Sequence, residues 1–139
     1  ISLAQLAPVT GAVVVTTPQG VALSDVGRAV RMFERLEVPV LGVVENMSGF
    51  VCPHCGKVTE IFGKDGGRRL AERMGVPFLG SVPLDPRVVE GGEKGRPIVI
   101  AAPDSPAAQA LRAIAQQVAA RISVLHLGEL APSGVSSTS

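Results

Sequence analysis

Tryptophan and tyrosine are absent from this chain, and phenylalanine occurs four times. So few rings leave little on which to stack unpaired bases. Basic and acidic residues nearly cancel, for a net charge of +1, and no Lys/Arg stripe interrupts the mixture. No nucleic-acid partner is therefore expected. No apolar run approaches the ~20 residues that a membrane helix needs, so no membrane partner is expected either. The start, Ile1-Ser-Leu-Ala-Gln-Leu-Ala-Pro8, lacks the basic n-region of a secretory leader. It also lacks an initiator methionine, as a fragment or processed chain would. Two cysteines in 139 residues make no disulfide framework. Their C-x-x-C spacing suggests a metal site or a redox pair in a reducing compartment, and we expect the cytoplasm. A G-x-x-x-x-G-K-S/T phosphate loop is missing as well. Gly56-Lys57 and Gly63-Lys64 lack both the preceding glycine and a following Ser/Thr. The chain offers nothing that cradles a triphosphate.

What is present suffices for one domain. The hydrophobic fraction of 46% supplies a core. Ala12 to Thr16 is a β-branched run that reads as a fully buried strand of the parallel type. Ser24 is a plausible N-cap, after which Val26, Ala29, Val30, Phe33 and Leu36 recur at helical spacing. Pro39 ends that helix and leads into a second buried strand, Val40 to Val44. Together they form a βαβ unit. Lys57 to Phe62 has extended character, and Gly63 to Gly67 reads as a polar turn. Arg68 to Met74 is a short helix, with Gly75 suited to its left-handed end. Val76 to Val82 is a third strand, left by the loop Pro83-Leu-Asp-Pro86. Arg87 to Lys94 reads as a short polar helix, and Pro97 to Ala101 as extended or linker. Ser105-Pro106 starts a long helix, Ala107 to about Val124. Ile1 to Leu6 could end an earlier helix. His126 to Ser139 is rich in Gly, Pro and Ser, and a flexible tail is expected over 125–139, outside a domain spanning 1–124. Alternating strands and helices with apolar strands give an α/β layered fold.

The chemistry gathers in Glu45 to Gly56, just beyond the second strand, where α/β proteins commonly carry their sites. Cys52-Pro-His-Cys55-Gly56 suits several roles. It is the knuckle of zinc ribbons and related sites, in which Gly56 permits the required φ and backbone N–H groups point at the thiolates. A closed zinc or iron–sulfur site usually takes four ligands, and this chain offers two thiolates; a second copy across a C2 axis would complete the set. A zinc-binding interaction module without catalysis is the competing class. A thiol–disulfide centre is a further possibility, although a helix should then begin at the first cysteine. Two loop cysteines without a role, or a monomeric zinc turn, stay open. On the nucleotide side, Asn46 carries a carboxamide able to meet both donor and acceptor edges of adenine, or simply to cap a turn. Pro83-Leu-Asp-Pro86 would lie beside it if the second and third strands are neighbours.

Thr16-Thr-Pro-Gln19, Val44-Glu-Asn-Met-Ser-Gly-Phe50, Cys52-Pro-x-Cys55, Ile61-Phe-Gly63 and Gly80-Ser-Val-Pro-Leu-Asp85 occur in this order. Taken together they resemble the Mrp/ApbC family of iron–sulfur carriers, P-loop ATPases related to MinD, ParA and the nitrogenase iron protein. The likeness runs from about Leu3 to Val124. It implies a three-layer, mostly parallel P-loop NTPase sheet, seen here as its C-terminal half. It implies a homodimer that bridges a 4Fe–4S cluster through Cys52 and Cys55 of each copy, with zinc possible as purified. It further implies delivery of that cluster to apo-proteins, driven by ATP with Mg²⁺. By the family pattern Asn46 recognises adenine, and Pro83, Leu84 and Asp85 wall the base. The family's phosphate loop, switch I and Walker B aspartate precede this part, so no catalytic residue is expected here and the piece should be inactive alone. About six residues join Asn46 to Cys52, a tether through which nucleotide state could reach the cluster.

Overall fold

The computed structural model describes residues 6–63 and 65–130. Four strands and five helices are placed among them: β1 (Ala12–Thr16), α1 (Gly20–Arg35), β2 (Val40–Val51), β3 (Val58–Thr59), α2 (Gly66–Met74), β4 (Phe78–Leu84), α3 (Pro86–Glu93), α4 (Ile98–Ala101) and α5 (Pro106–Leu130). β2 is the central strand. It pairs in parallel with β1 on one side and with β4 on the other, and antiparallel with the two-residue β3 at Phe50 and Val51. The second and third apolar strands are thus neighbours, as Asn46 opposite Val82 shows.

The two sheet faces are covered by different helices. Val44, Leu79 and Val82 form one core with Ile98 of α4 and with Ala107, Ala108 and Ile114 of α5. Residues alternate across a strand, so Val43 and Glu45 face the other way, toward α2. There Gly67 comes so close that an added Cβ would lie 3.0 Å from the Glu45 Cβ. Arg68 stacks over the Phe78 ring at 4.6 Å on the same side. Gly42 permits the close approach of β2 to β4: a Cβ there would meet the Pro77 carbonyl oxygen at 2.7 Å. The result is a helix–sheet–helix sandwich with a mostly parallel sheet, the fold class expected. Among the described residues no helix is long and apolar enough to cross a membrane.

Several local expectations are corrected. β1 is not buried on both faces; Val14 and Thr16 are inside, whereas Val15 is 55% exposed. α1 starts one turn early, after an extended Gln19, rather than at Ser24. β2 does not stop at Val44 but runs on through Val51, because Asn46 and Phe50 find partners on β4. Pro83 and Leu84 close β4 instead of lying in its exit loop, and α2 takes in Gly66 and Gly67. Residues 98–101 form a helical turn that buries Ile98, not an extended piece. α5 continues to Leu130, so His126 is helical rather than in a tail; residues 131–139 lie outside the described residues. The helix expected for Ile1 to Leu6 lies outside them too, save Leu6. Ser105 does cap α5: its Oγ accepts from the Ala108 N–H at 3.2 Å. Gly75 ends α2 at φ 68°, as its position requires.

Candidate functional site

Glu45, Asn46 and Cys52 follow one another along β2 and its exit, but they serve different places. Glu45 is 1% exposed, and its Oε1 accepts the Gly67 N–H at 2.9 Å. The carboxylate thus satisfies a donor of the first turn of α2, where the helix dipole favours negative charge. Asn46 points to the opposite face. Its Oδ1 accepts the Met47 N–H at 2.9 Å. A carboxamide oxygen has a second lone pair, and Nδ2 carries two donors, so a donor and an acceptor remain to offer a ligand. Met47 takes φ 56°, and the β2–β4 register shifts between Asn46 and Phe50. A non-glycine residue in the left-handed region costs about 1 kcal/mol or more and is held there by its surroundings.

Asn46, Met47, Pro83, Leu84 and Asp85 line one cavity of about 310 Å³, together with the apolar Val15, Val44, Val82, Val88, Val89 and Leu111. It lies toward the carboxyl ends of β1 and β4, beside the middle of β2. An apolar slot with one carboxamide and one carboxylate on its wall has the makings of a site for a flat heterocycle. All four residues assigned to the base from the sequence meet here.

Asp85 is 1% exposed and caps α3. Its Oδ1 accepts the Arg87 backbone N–H and Nε at 3.0 Å each, and Oδ2 accepts Arg87 Nη2 at 2.7 Å. The side-chain hydrogen bonds from Arg87 hold this carboxyl below its ordinary range. Arg87 itself does not stand out in the sequence. Only the Pro at the first helical position marks its surroundings, and nothing local reveals that its guanidinium turns back onto Asp85.

Cys52 and Cys55 flank a turn between β2 and β3. The Gly56 N–H donates to the Cys52 carbonyl and the Cys52 N–H to that of Lys57, each at 2.9 Å. Gly56 adopts φ 73°, the conformation its place in the knuckle calls for. The backbone N–H of Cys55 aims at the Cys52 sulfur, joined by that of His54 and by the Cys55 side chain, and these hold the Cys52 thiol below its ordinary value. Both cysteines are free, and Cys55 is exposed. No helix begins at Cys52, so the context of a thioredoxin-like redox centre is missing. Among the described residues no group of three or more His, Cys, Asp or Glu could hold a metal ion. Val51, Cys52, Pro53, Gly56, Asp85 and Arg87 are among the lining of a second cavity, about 360 Å³. A larger groove of about 630 Å³ between α1 and α2 carries Arg28, Arg31 and Arg73 and includes none of the residues chosen from the sequence.

The lowered thiol yields a direct expectation. Thiolate is the reactive form, so Cys52 of the apo-protein should alkylate with iodoacetamide at a lower pH than it does in the denatured chain. Site-resolved mass spectrometry across a pH series measures this. Identical profiles would contradict the turn geometry.

A helix–sheet–helix sandwich with a mostly parallel sheet and an apolar cavity beside its strands defines a layered α/β protein. Residues 1–119 match the family described as "ParA: NUBPL iron-transfer P-loop NTPase", and the chain belongs to that family. It is 54% identical to an iron–sulfur cluster carrier protein of Deinococcus radiodurans, over 94% of this chain and 37% of that protein. It is 45% identical to the iron–sulfur cluster transfer protein NUBPL of Dictyostelium discoideum, over 93% and 40% respectively. The chain therefore spans about two-fifths of these relatives. Among solved structures it resembles a nucleotide-binding protein from Archaeoglobus fulgidus in complex with ADP, at 38% identity and TM-score 0.55 over 63% of this chain and 36% of the other. The septum site-determining protein MinD of Pyrococcus horikoshii, complexed with Mg-ADP, aligns at 25% identity and TM-score 0.63 over 84% and 44%.

Proposed function

We propose that this chain is the C-terminal half of the ATPase domain of an iron–sulfur cluster carrier. Cys52 and Cys55 of two copies hold a bridging 4Fe–4S cluster as cargo, and the intact homodimer passes it to apo-proteins in a cycle driven by ATP with Mg²⁺. The observation that carries this reading is the continuity of one strand. β2 presents Asn46 to an apolar, base-sized cavity and then delivers Cys52 into a turn whose N–H groups favour the thiolate. The relatives named as cluster carriers support the cargo, and the ADP-bound neighbours support the nucleotide. Two thiolates per chain suit a site that a twofold axis completes. The phosphate loop, absent from this sequence, would come from the remainder of the domain, so the 139-residue piece alone hydrolyses no ATP. Free thiols and a labile cargo suit the reducing cytoplasm.

Protein purified without oxygen should contain iron and acid-labile sulfide in equal amounts and sediment as a dimer when loaded. Zinc without sulfide would favour the interaction module instead. Asn46 gives a second test. In the intact protein Asn46→Ala should reduce the preference for ATP over GTP about tenfold, the effect of losing one hydrogen bond in a dry site. Competition titration with the two nucleotides reads it, and an unchanged preference removes Asn46 from base recognition.

A further inference from the structure

Asp85 lines both cavities, the one beside Asn46 and the one beside Cys52. Its carboxylate is buried, while the Arg87 side chain that grips it is half exposed and lines the cysteine cavity. Arg87 commits Nε and one Nη2 proton to Asp85. The fork has five N–H donors, so three remain on a side chain that borders the cysteine cavity. A cluster bound by thiolates carries net negative charge, and a guanidinium held in a fixed orientation meets such charge better than a mobile ammonium. Arg87 takes no part in lowering the Cys52 thiol, which the turn's own groups achieve. Its charge acts on what fills the space between.

We propose that the Asp85–Arg87 clamp is a positioning device that couples the two sites: Arg87 steadies the anionic cargo at Cys52 and Cys55, and a base seated against Pro83, Leu84 and Asp85 braces the carboxylate that aims it. This rests on the carrier reading above. Coupling of this kind is reciprocal: nucleotide alters cluster retention, and cluster alters nucleotide affinity by the same factor.

The test uses the intact, cluster-loaded protein. Iron removal by a ferrous chelator is timed with and without a non-hydrolysable ATP analogue, and analogue affinity is measured on the loaded and the apo forms. In the wild type, the analogue should change the rate of iron removal, and its affinities for the loaded and the apo forms should differ about fivefold. Arg87→Gln should release iron faster and erase both differences while leaving affinity in the apo form intact. Arg87→Lys, which keeps the charge but not the fork, should restore part of the retention and none of the coupling. Urea melts of both variants confirm that they fold. Wild-type rates and nucleotide dependence in Arg87→Gln would overturn the clamp and leave the carrier function standing. A wild type that takes up no cluster would overturn both.

Discussion

Serine at position 52 or 55 is expected to leave the intact protein without a cluster. Serine preserves the size of the side chain but offers a hydroxyl that stays protonated at neutral pH and is a poor ligand for iron. In a symmetric dimer each substitution strikes twice, so half of a four-thiolate set disappears. Retained iron and sulfide should fall from a full complement to near zero after anaerobic reconstitution, and the charge-transfer absorbance with it. In the proposed bridged dimer the cargo is part of what joins the two copies, so the dimer should weaken in parallel. The fold should not suffer, since Cys55 is exposed and Cys52 partly so. Either variant holding iron and sulfide at the wild-type level would falsify the assignment of the ligands.

Glu45→Ala should cost much of the protein's stability. It leaves a void beside β2 and orphans the Gly67 N–H inside the molecule. A buried donor without a partner costs about 1–3 kcal/mol, and the void adds to it, so a loss of about 3 kcal/mol or more is expected. Glu45→Gln separates charge from shape. Its carbonyl oxygen can still accept from Gly67, and a neutral amide is easier to bury than a carboxylate. That variant should lie within about 1 kcal/mol of the parent. Urea denaturation of the intact protein distinguishes them. Equal, large losses in both would mean that the charge itself, facing the α2 terminus, is what matters.

The parts of the fold that were legible are those in which composition and environment agree. The clearest case is Ser105-Pro106, where a hydroxyl and a fixed φ both favour a helix start, and one forms. The same holds for Gly56 and Gly75, each at a positive φ. The extension of β2 was not legible because Asn46, Ser48 and Gly49 are poor strand formers; pairing with β4 outweighs that preference. Ile98-Val-Ile100 misleads in the opposite direction. Its β-branched residues suggest a strand, but the turn is set by burying Ile98 against α5 while Ile100 stays exposed. The cavity beside Asn46 was legible as a juxtaposition of that residue with Pro83, Leu84 and Asp85. Arg87 and Glu45 were not, for their roles depend on partners that no local pattern names: a carboxylate two residues back, and a glycine 22 residues on.

That β2 persists from Asn46 toward Cys52 has a mechanical consequence. A loop can go slack, so motion at one end need not arrive at the other. A hydrogen-bonded strand yields little, and although four steps of β2 between Asn46 and Phe50 run beside only two of β4, at about 3.3 Å per paired step the arm to Cys52 still measures about 13 Å. A tilt of about 5° at the nucleotide end would sweep the cysteine turn through about 1 Å, nearly half the ~2.3 Å length of a metal–thiolate bond. In the paired assembly proposed above, two such arms would act as the jaws of a calliper: slight rotations of the bodies that carry them would decide whether four sulfurs fit one cluster or let it go.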